Sequence, residues 1–361
     1  MTTSTTPAID VADRLAGVLL GTAIGDSLGL PMEGMGARAI SRRYARLDRY
    51  QLLGDRGFVS DDTEQSALVA QSLARHPRFK AGCVLSFRKS ILGWFLRLPW
   101  GIGFGTLRAC LRIAAGFERS GVASAGNGAA MRAAIVGAFF FDDAVTRREW
   151  AGDLARVTHT DARAVDGACF VAEVAAEAMT GARSGDSIIE AAIVVVDEPS
   201  LREAIVRARA LAASGATVDE ASGVLGTTGF IVHTIALTTF CFVRFGHDPV
   251  LAIVEAIRAG GDTDSNAAIV GAWMGARHGA SGLPSLLRER LHDSDWFTTA
   301  RRLTLGGPSH LLALAAALDG ARRGDARLVV RYSWPGALLR NIALYPIVLA
   351  HAVRVVWSRA A

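Results

Sequence analysis

The stretch SDDTEQS, residues 60–66, sets Asp61 beside Asp62 with a hydroxyl on either side, at Ser60 and Thr63. Adjacent carboxylates repel each other, and two arrangements relieve the repulsion. Acids in the first turn of a helix suit its dipole, and a serine just before that turn caps a free N–H. The alternative is a divalent cation: Mg²⁺ and Mn²⁺ take hard oxygen ligands, and a cation turns the repulsion into attraction. One Asp pair offers too few ligands for a site held by protein. A second cluster, GGDTDSNAA at residues 260–268, repeats the design far along the chain. There Asp262 and Asp264 alternate with Thr263 and Ser265, after two glycines and before an Ala-rich run. Together the clusters carry four carboxylates and several hydroxyls at two helix starts, enough to hold two cations.

Three further motifs bear polar groups at helix ends. GTAIGDSLGLPMEG, residues 21–34, offers Asp26 and Glu33 as acids that could face a cavity. SAGNGAAMRAAIVG, residues 124–137, is a small-residue loop feeding a helix. Such a loop presents backbone N–H groups to an anion, and an ordinary Asn-Gly turn has the same sequence. THTDARAVDGA, residues 158–168, places His159 and Asp161 at another helix start, either to touch a ligand or to cap.

These motifs need a scaffold, and the chain reads as helical. Apolar residues at 9, 12, 15, 16, 19 and 20 share one face at a period of 3.6. The same period predicts helices over residues 61–73, 83–98, 127–141, 161–179, 201–213, 229–245, 248–259 and 264–279. Two runs, AAIVVVD and RLVVRY, are ambiguous between strand and helix. The 361 residues are 51% hydrophobic with 38 glycines and few aromatics, which favours close helix packing. The reading is all-α: one domain over residues 1–307 and a helical extension over residues 308–361 packed on it, divided at Pro308.

The formal charge is +5, nearly all the basic residues are arginines, and they are scattered. This describes a mildly cationic surface suited to an anionic ligand, with no nucleic-acid track. Cys83, Cys110, Cys169 and Cys241 lie far apart in apolar runs and read as buried free thiols of a reducing cytoplasm. The first residues carry no basic n-region or early apolar block, so no secretory signal is expected. NIALYPIVLAHAVRVVW, residues 341–357, is broken by Pro346 and His351, and reads as a helix packed on the body. Contact with a membrane surface is its lesser alternative.

In chain order, GDSLGLPMEG, SDDTEQS, SAGNGAAMR, THTD and GGDTDSNAA resemble the ADP-ribosylglycohydrolase family, relatives of dinitrogenase-reductase-activating glycohydrolase. The resemblance spans about residues 11–285, and the pair of SDDT early and GDTDS late is its specific part. It implies a compact orthogonal helical bundle with a two-metal centre, Mg²⁺ first and Mn²⁺ second. It implies hydrolysis of the bond between ADP-ribose and an acceptor, either a protein side chain or a small molecule. By position, Ser60, Asp61 and Asp62 match the first metal-binding motif. Asp262, Asp264 and Ser265 match the second. Glu33 matches an acidic position near the metals that the resemblance implies acts in catalysis; Gly126, Asn127 and Gly128 match the loop that cradles the ADP-ribose phosphates; His159 matches a ligand-adjacent histidine. In LPWGIGFG, Gly101 stands where arginine-specific members carry an Asp. Arginine specificity therefore does not carry over, and a non-catalytic or weakly active ADP-ribose-binding protein is the alternative. Two other acidic motifs are excluded. The terpene-synthase motif wants an acid at Gln65, and the haloacid-dehalogenase motif wants an apolar strand where residues 258–261 read RAGG.

Overall fold

The computed structural model describes residues 9–181, 183–292, 303–325 and 330–360. Among these the chain forms seventeen α-helices and three short 3-10 turns, with no strand beyond isolated bridges. AAIVVVD ends the helix Gly185–Ala192 and enters the 3-10 turn Ile193–Val195, whereas RLVVRY falls partly outside the described residues.

At the centre run two antiparallel helices, Val11–Gly29 and Thr263–His278. Their contact is a comb of small residues four apart. A methyl group at Gly17 would meet Gly275 O at 2.3 Å, one at Gly21 Gly271 O at 2.0 Å, and one at Gly25 Ala267 O at 2.0 Å. At the end of the comb Thr263 donates its hydroxyl to Gly29 O at 2.8 Å. The backbones touch because the seam carries only glycines and the small side chain of Ala267. The C-terminal end of one helix, with Asp26, is thereby locked against the start of the other, with Asp262 and Asp264. The pattern of apolar residues predicts a one-sided first helix. The structure instead buries every residue from Leu15 to Gly29, since helices pack around it on all sides. Its Val11–Met32 stretch is long and apolar enough to cross a membrane, and its apolar window is wholly buried inside the protein, as a core helix is.

We expect Gly21→Leu to be among the most destabilising substitutions outside the acidic site. Overpacking usually costs about 1–3 kcal/mol, and here the obstacle is backbone on both sides. A melting temperature within a degree of the parent would contradict the comb.

The expected single helix over residues 127–141 is two pieces, the 3-10 turn Asn127–Ala129 and the helix Ala134–Phe139. Asn127 N–H is held by Gly229 O at 3.0 Å, and Ala130 bonds back to Asn127 O at 2.8 Å, which tightens the turn before a helix starts. Three cysteines are buried and free; Cys169 is free and only half-buried.

The helix Pro308–Arg323 packs on Val11–Gly29 and on Asp61–Arg75. The terminal helix Trp334–Ala360 lies along residues 93–99: Trp334 Nε1 donates to Gly93 O at 2.8 Å and Asn341 Nδ2 to Arg97 O at 2.9 Å. Its Arg340 pairs with Glu64, a buried acid two residues after Asp62 that also receives Trp94 Nε1 at 2.6 Å. Ile342, Tyr345, Leu349 and Val353 remain exposed.

Candidate active site and metal centre

Neither N-cap residue, Ser60 nor Asp262, caps its own helix through its side chain, although Asp264 Oδ1 accepts from Ser265 N at 3.0 Å. Ser60 is the N-cap residue of Asp61–Arg75, and its side chain makes no capping bond. It donates instead to Asp62 Oδ2 at 3.3 Å. Capping comes from a distant residue: Asp26 Oδ2 accepts from Ser60 N at 2.9 Å, from Thr63 N at 3.2 Å and from Thr63 Oγ1. Asp262, the N-cap residue of Thr263–His278, is likewise free of its own helix. Its Oδ2 accepts from Asn127 Nδ2 at 2.6 Å. Asp161, by contrast, does cap: it accepts from Arg163 N at 3.0 Å and pairs with that guanidinium.

Two close backbone approaches set the register of the second cluster. Gly260 and Gly261 have φ of 77° and 80°, the left-handed region open to glycine. Gly261 exchanges hydrogen bonds with the turn after Glu33, Gly34 N to Gly261 O at 2.7 Å and Gly261 N to Met35 O at 2.8 Å. The pair of glycines before DTDS thus fastens Glu33 beside Asp262.

The result is a cleft of about 490 Å³ lined by Glu33, Asp61, Asp262, Asp264 and Ser265 on one side and Gly126, Asn127, Gly128 and His159 on another. Asp62 lies beneath, 1% exposed, and Ser265 Oγ donates to its Oδ2 at 3.3 Å. Of the residues singled out in the sequence, Glu33, Asp61, Asp262, Asp264, Ser265, Gly126, Asn127, Gly128 and His159 line this cleft, Asp62 lies beneath it bonded to Ser60, and Asp161 is not part of it. A larger cleft of about 800 Å³, lined by Leu20, Phe58, Arg288 and His292 among others, has no carboxylate cluster.

The donor set fits divalent cations. Asp26, Asp62 and Asp264 can each bring a carboxylate oxygen within 4.8 Å of the others. Asp62 Oδ1 is buried without a hydrogen-bond partner, an arrangement that costs free energy unless a further group meets it. Asp26 Oδ2 is already occupied by three donors, so this residue braces the loop more than it offers a ligand. Burial first, and neighbouring carboxylates second, hold Asp61, Asp62 and Asp264 well above the usual carboxylate range. Burial pushes Asp26 up to about 6, against the opposing pull of its Thr63 and Ser60 bonds. The Glu33 side chain is exposed to the cleft, yet desolvation by the cleft walls, then the charges of Asp262 and Asp26, push its pKa up to about 7. For a group that meets solvent, the two charges are the firmer cause.

These shifts have a sign. An acid whose pKa is raised on folding holds its proton more tightly in the folded chain. Without cations, the cluster therefore lowers stability as pH climbs from about 4, where the unfolded carboxylates ionise, through the values near 6 and 7 of Asp26 and Glu33. In chelator the melting temperature should fall between about pH 5 and about pH 7.5, and Mg²⁺ should raise it more at the upper end. A flat or rising curve in chelator would contradict the buried cluster.

His159 is 2% exposed, with Nδ1 2.8 Å from Thr158 Oγ1. Burial and the nearby Arg132 charge push its pKa down to about 3, so it is neutral. Sequence reasoning missed Arg132, Gln65 and Thr158. Arg132 and Gln65 lie inside quoted motifs, but only the fold shows that their side chains turn inward. Gly101 has φ of 83°, and a methyl group there would meet Asp61 Oδ1 at 2.7 Å. A side chain here would be strained by the positive φ and would have to displace the Asp61 carboxylate.

The ADP-ribosylglycohydrolase family model matches residues 7–324. An uncharacterized protein of Archaeoglobus fulgidus is 30% identical over 293 residues, covering 79% of this chain and 93% of that protein. The ADP-ribosyl-[dinitrogen reductase] glycohydrolase of Rhodospirillum rubrum is 25% identical over 288 residues, covering 76% of this chain and 89% of that one. Among solved structures, an ADP-ribosylglycohydrolase-related protein complex superposes with a TM-score of 0.64 at 26% identity, covering 86% of this chain and 98% of that one. With its all-α architecture and with the match running over most of its length, the chain belongs to the ADP-ribosylglycohydrolase family.

Proposed function

We propose that the protein is a metal-dependent hydrolase that cleaves the glycosidic bond between ADP-ribose and an acceptor, using two divalent cations. The observation that carries this reading is the convergence of Asp61, Asp262 and Asp264 in one cleft, with Asp62 beneath them holding a buried, unpartnered oxygen. Ser60, Asp61, Asp62, Asp262, Asp264 and Ser265 would hold the cations, with Mg²⁺ the first choice among hard divalent ions. When bound, they would supply Lewis-acid polarisation of the substrate's oxygens and draw the anionic ligand in. The chain's own groups do the rest. Asn127 fixes Asp262 through its amide. The turn at Gly126, Asn127 and Gly128 faces the same cleft and would take the phosphates, and neutral His159 beside it would donate to them. Departure of the acceptor leaves oxocarbenium character on the ribose. Glu33, the carboxylate with open access to the cleft, would orient the attacking water and accept its proton.

The acceptor is a protein side chain or a small molecule, and Gly101 argues against the arginine-type arrangement. Hydrolysis of a panel of ADP-ribosylated substrates, each with Mg²⁺, with Mn²⁺ and with chelator, tests the reading. Release of ADP-ribose that chelator abolishes is the expected result. Tight ADP-ribose binding with no turnover on any substrate would instead assign the chain as a binding protein.

A further inference from the structure

Arg132 is 2% exposed and takes no part in the chemistry described above. Its guanidinium donates to Gln65 Oε1 at 2.7 Å, to Gly128 O, and to Thr158 Oγ1 at 2.6 Å. It also lies 5.0 Å from the ring centroid of Phe87. All three acceptors are neutral. Beyond them the network continues: Gln65 Nε2 donates to Asp61 Oδ2 at 3.2 Å, and Thr158 Oγ1 meets His159 Nδ1 at 2.8 Å.

A guanidinium can only donate. Where it donates to a side chain that can face either way, it decides which way that side chain faces. Gln65 must turn its carbonyl to Arg132, so its NH₂ must face Asp61. Thr158 accepts from Arg132, so its own proton is released to point elsewhere. The short contact is His159 Nδ1 at 2.8 Å; the competing Ala155 O is at 3.5 Å. Nδ1 is then the acceptor, and the single imidazole proton sits on Nε2. That nitrogen faces the glycines of the cleft floor: a methyl group at Gly105 would meet it at 2.7 Å and one at Gly128 at 3.5 Å.

We propose that Arg132 is a positioning residue that sets proton placement on both sides of the cleft, turning the Gln65 amide N–H toward Asp61 and, through Thr158, fixing His159 as an Nε2–H donor into the cleft. The use of that donor for an ADP-ribose oxygen rests on the proposed function; the tautomer does not. Lysine cannot substitute. An ammonium is a point donor on a flexible stem and cannot span three acceptors in one plane.

The test is the ¹⁵N imidazole spectrum of the full chain near neutral pH, with the His159 signals assigned by their loss in His159→Asn. The parent should show His159 as the pure Nε2–H tautomer. Thr158→Val removes the bridging hydroxyl, and Arg132→Lys frees Thr158 to reorient; either should admit the Nδ1–H form. ADP-ribose binding should weaken about 10–100-fold in both, the scale for losing one hydrogen bond to a charged group. An Nδ1–H tautomer in the parent overturns the proposal, as does an unchanged Nε2–H tautomer in Thr158→Val. An unchanged Nε2–H tautomer in a folded Arg132→Lys overturns it as well, and if that variant does not fold, the parent and Thr158→Val spectra still decide the tautomer. A parent with the expected tautomer that binds no ADP-ribose would sink the functional reading and leave the positioning role standing.

Discussion

Asp62→Asn is expected to abolish cation binding and turnover together while making the metal-free protein more stable. Asp62 is 1% exposed among carboxylates, with one oxygen unpartnered. Removing its charge relieves repulsion in the buried cluster, so the melting temperature in chelator should rise. The same change removes a charged oxygen ligand. Losing an outer-shell partner of a metal site already costs about 10–100-fold in affinity or activity, and losing a ligand at the centre should exceed that. The shift in melting temperature on adding Mg²⁺ should shrink accordingly. This opposite pair of effects separates a metal ligand from a structural acid. If Asp62 served only to brace the fold through Ser60 and Ser265, Asn would lower stability in chelator and leave the Mg²⁺ response intact. Calorimetric titration with Mn²⁺ and thermal melts with and without chelator read both quantities.

Glu33→Gln should give the reverse signature, with binding kept and turnover lost. Asp61, Asp62, Asp262 and Asp264 are committed to the cluster, which leaves Glu33 as the carboxylate open to the cleft beside Asp262. Its backbone is pinned on the far side by the paired Gly34 and Gly261 bonds, so the amide should occupy the same place. Turnover should fall about 10²–10⁴-fold, the usual scale for a lost general base, while Mn²⁺ and ADP-ribose bind within a few-fold of the parent. The pH dependence carries further information. In the metal-free protein the Glu33 pKa is raised to about 7. Bound cations oppose that shift, so the acidic limb of the rate profile should lie below pH 7. Turnover close to the parent's would reduce Glu33 to a turn residue.

How much of this was legible beforehand follows from the range of the interactions. SDDT and GGDTDS announce themselves because their acids and hydroxyls are adjacent in sequence, and the helices that follow them carry the 3.6 period. The choice between capping and metal binding was not legible. It turns on Asp26, which reaches across from another helix to hold the Ser60 and Thr63 N–H groups. Nothing near Ser60 in sequence signals that partner. The glycines at 17, 21 and 25 are visible as a four-residue spacing, but their matching with 275, 271 and 267 exists only in the antiparallel fold. Asn127 reads as a phosphate-loop residue, and the structure adds that its amide holds Asp262. Arg132 reads as one arginine among many scattered ones, and only its buried bonds to Gln65, Gly128 and Thr158 mark it. Phe104–Ala114 and Ala144–Arg156 are not among the predicted helices, although the first has a one-sided buried face of Gly105, Ala109, Cys110 and Ile113.

The most direct measurement is the anomalous difference map of a crystal of the full chain grown with Mn²⁺. Two peaks are expected, each within coordination distance of carboxylates drawn from both clusters, Asp61 and Asp62 on one side and Asp262 and Asp264 on the other. No peak at these residues, with Mn²⁺ in excess and the carboxylates free of lattice contacts, would contradict the two-cation centre on which the proposed hydrolysis rests.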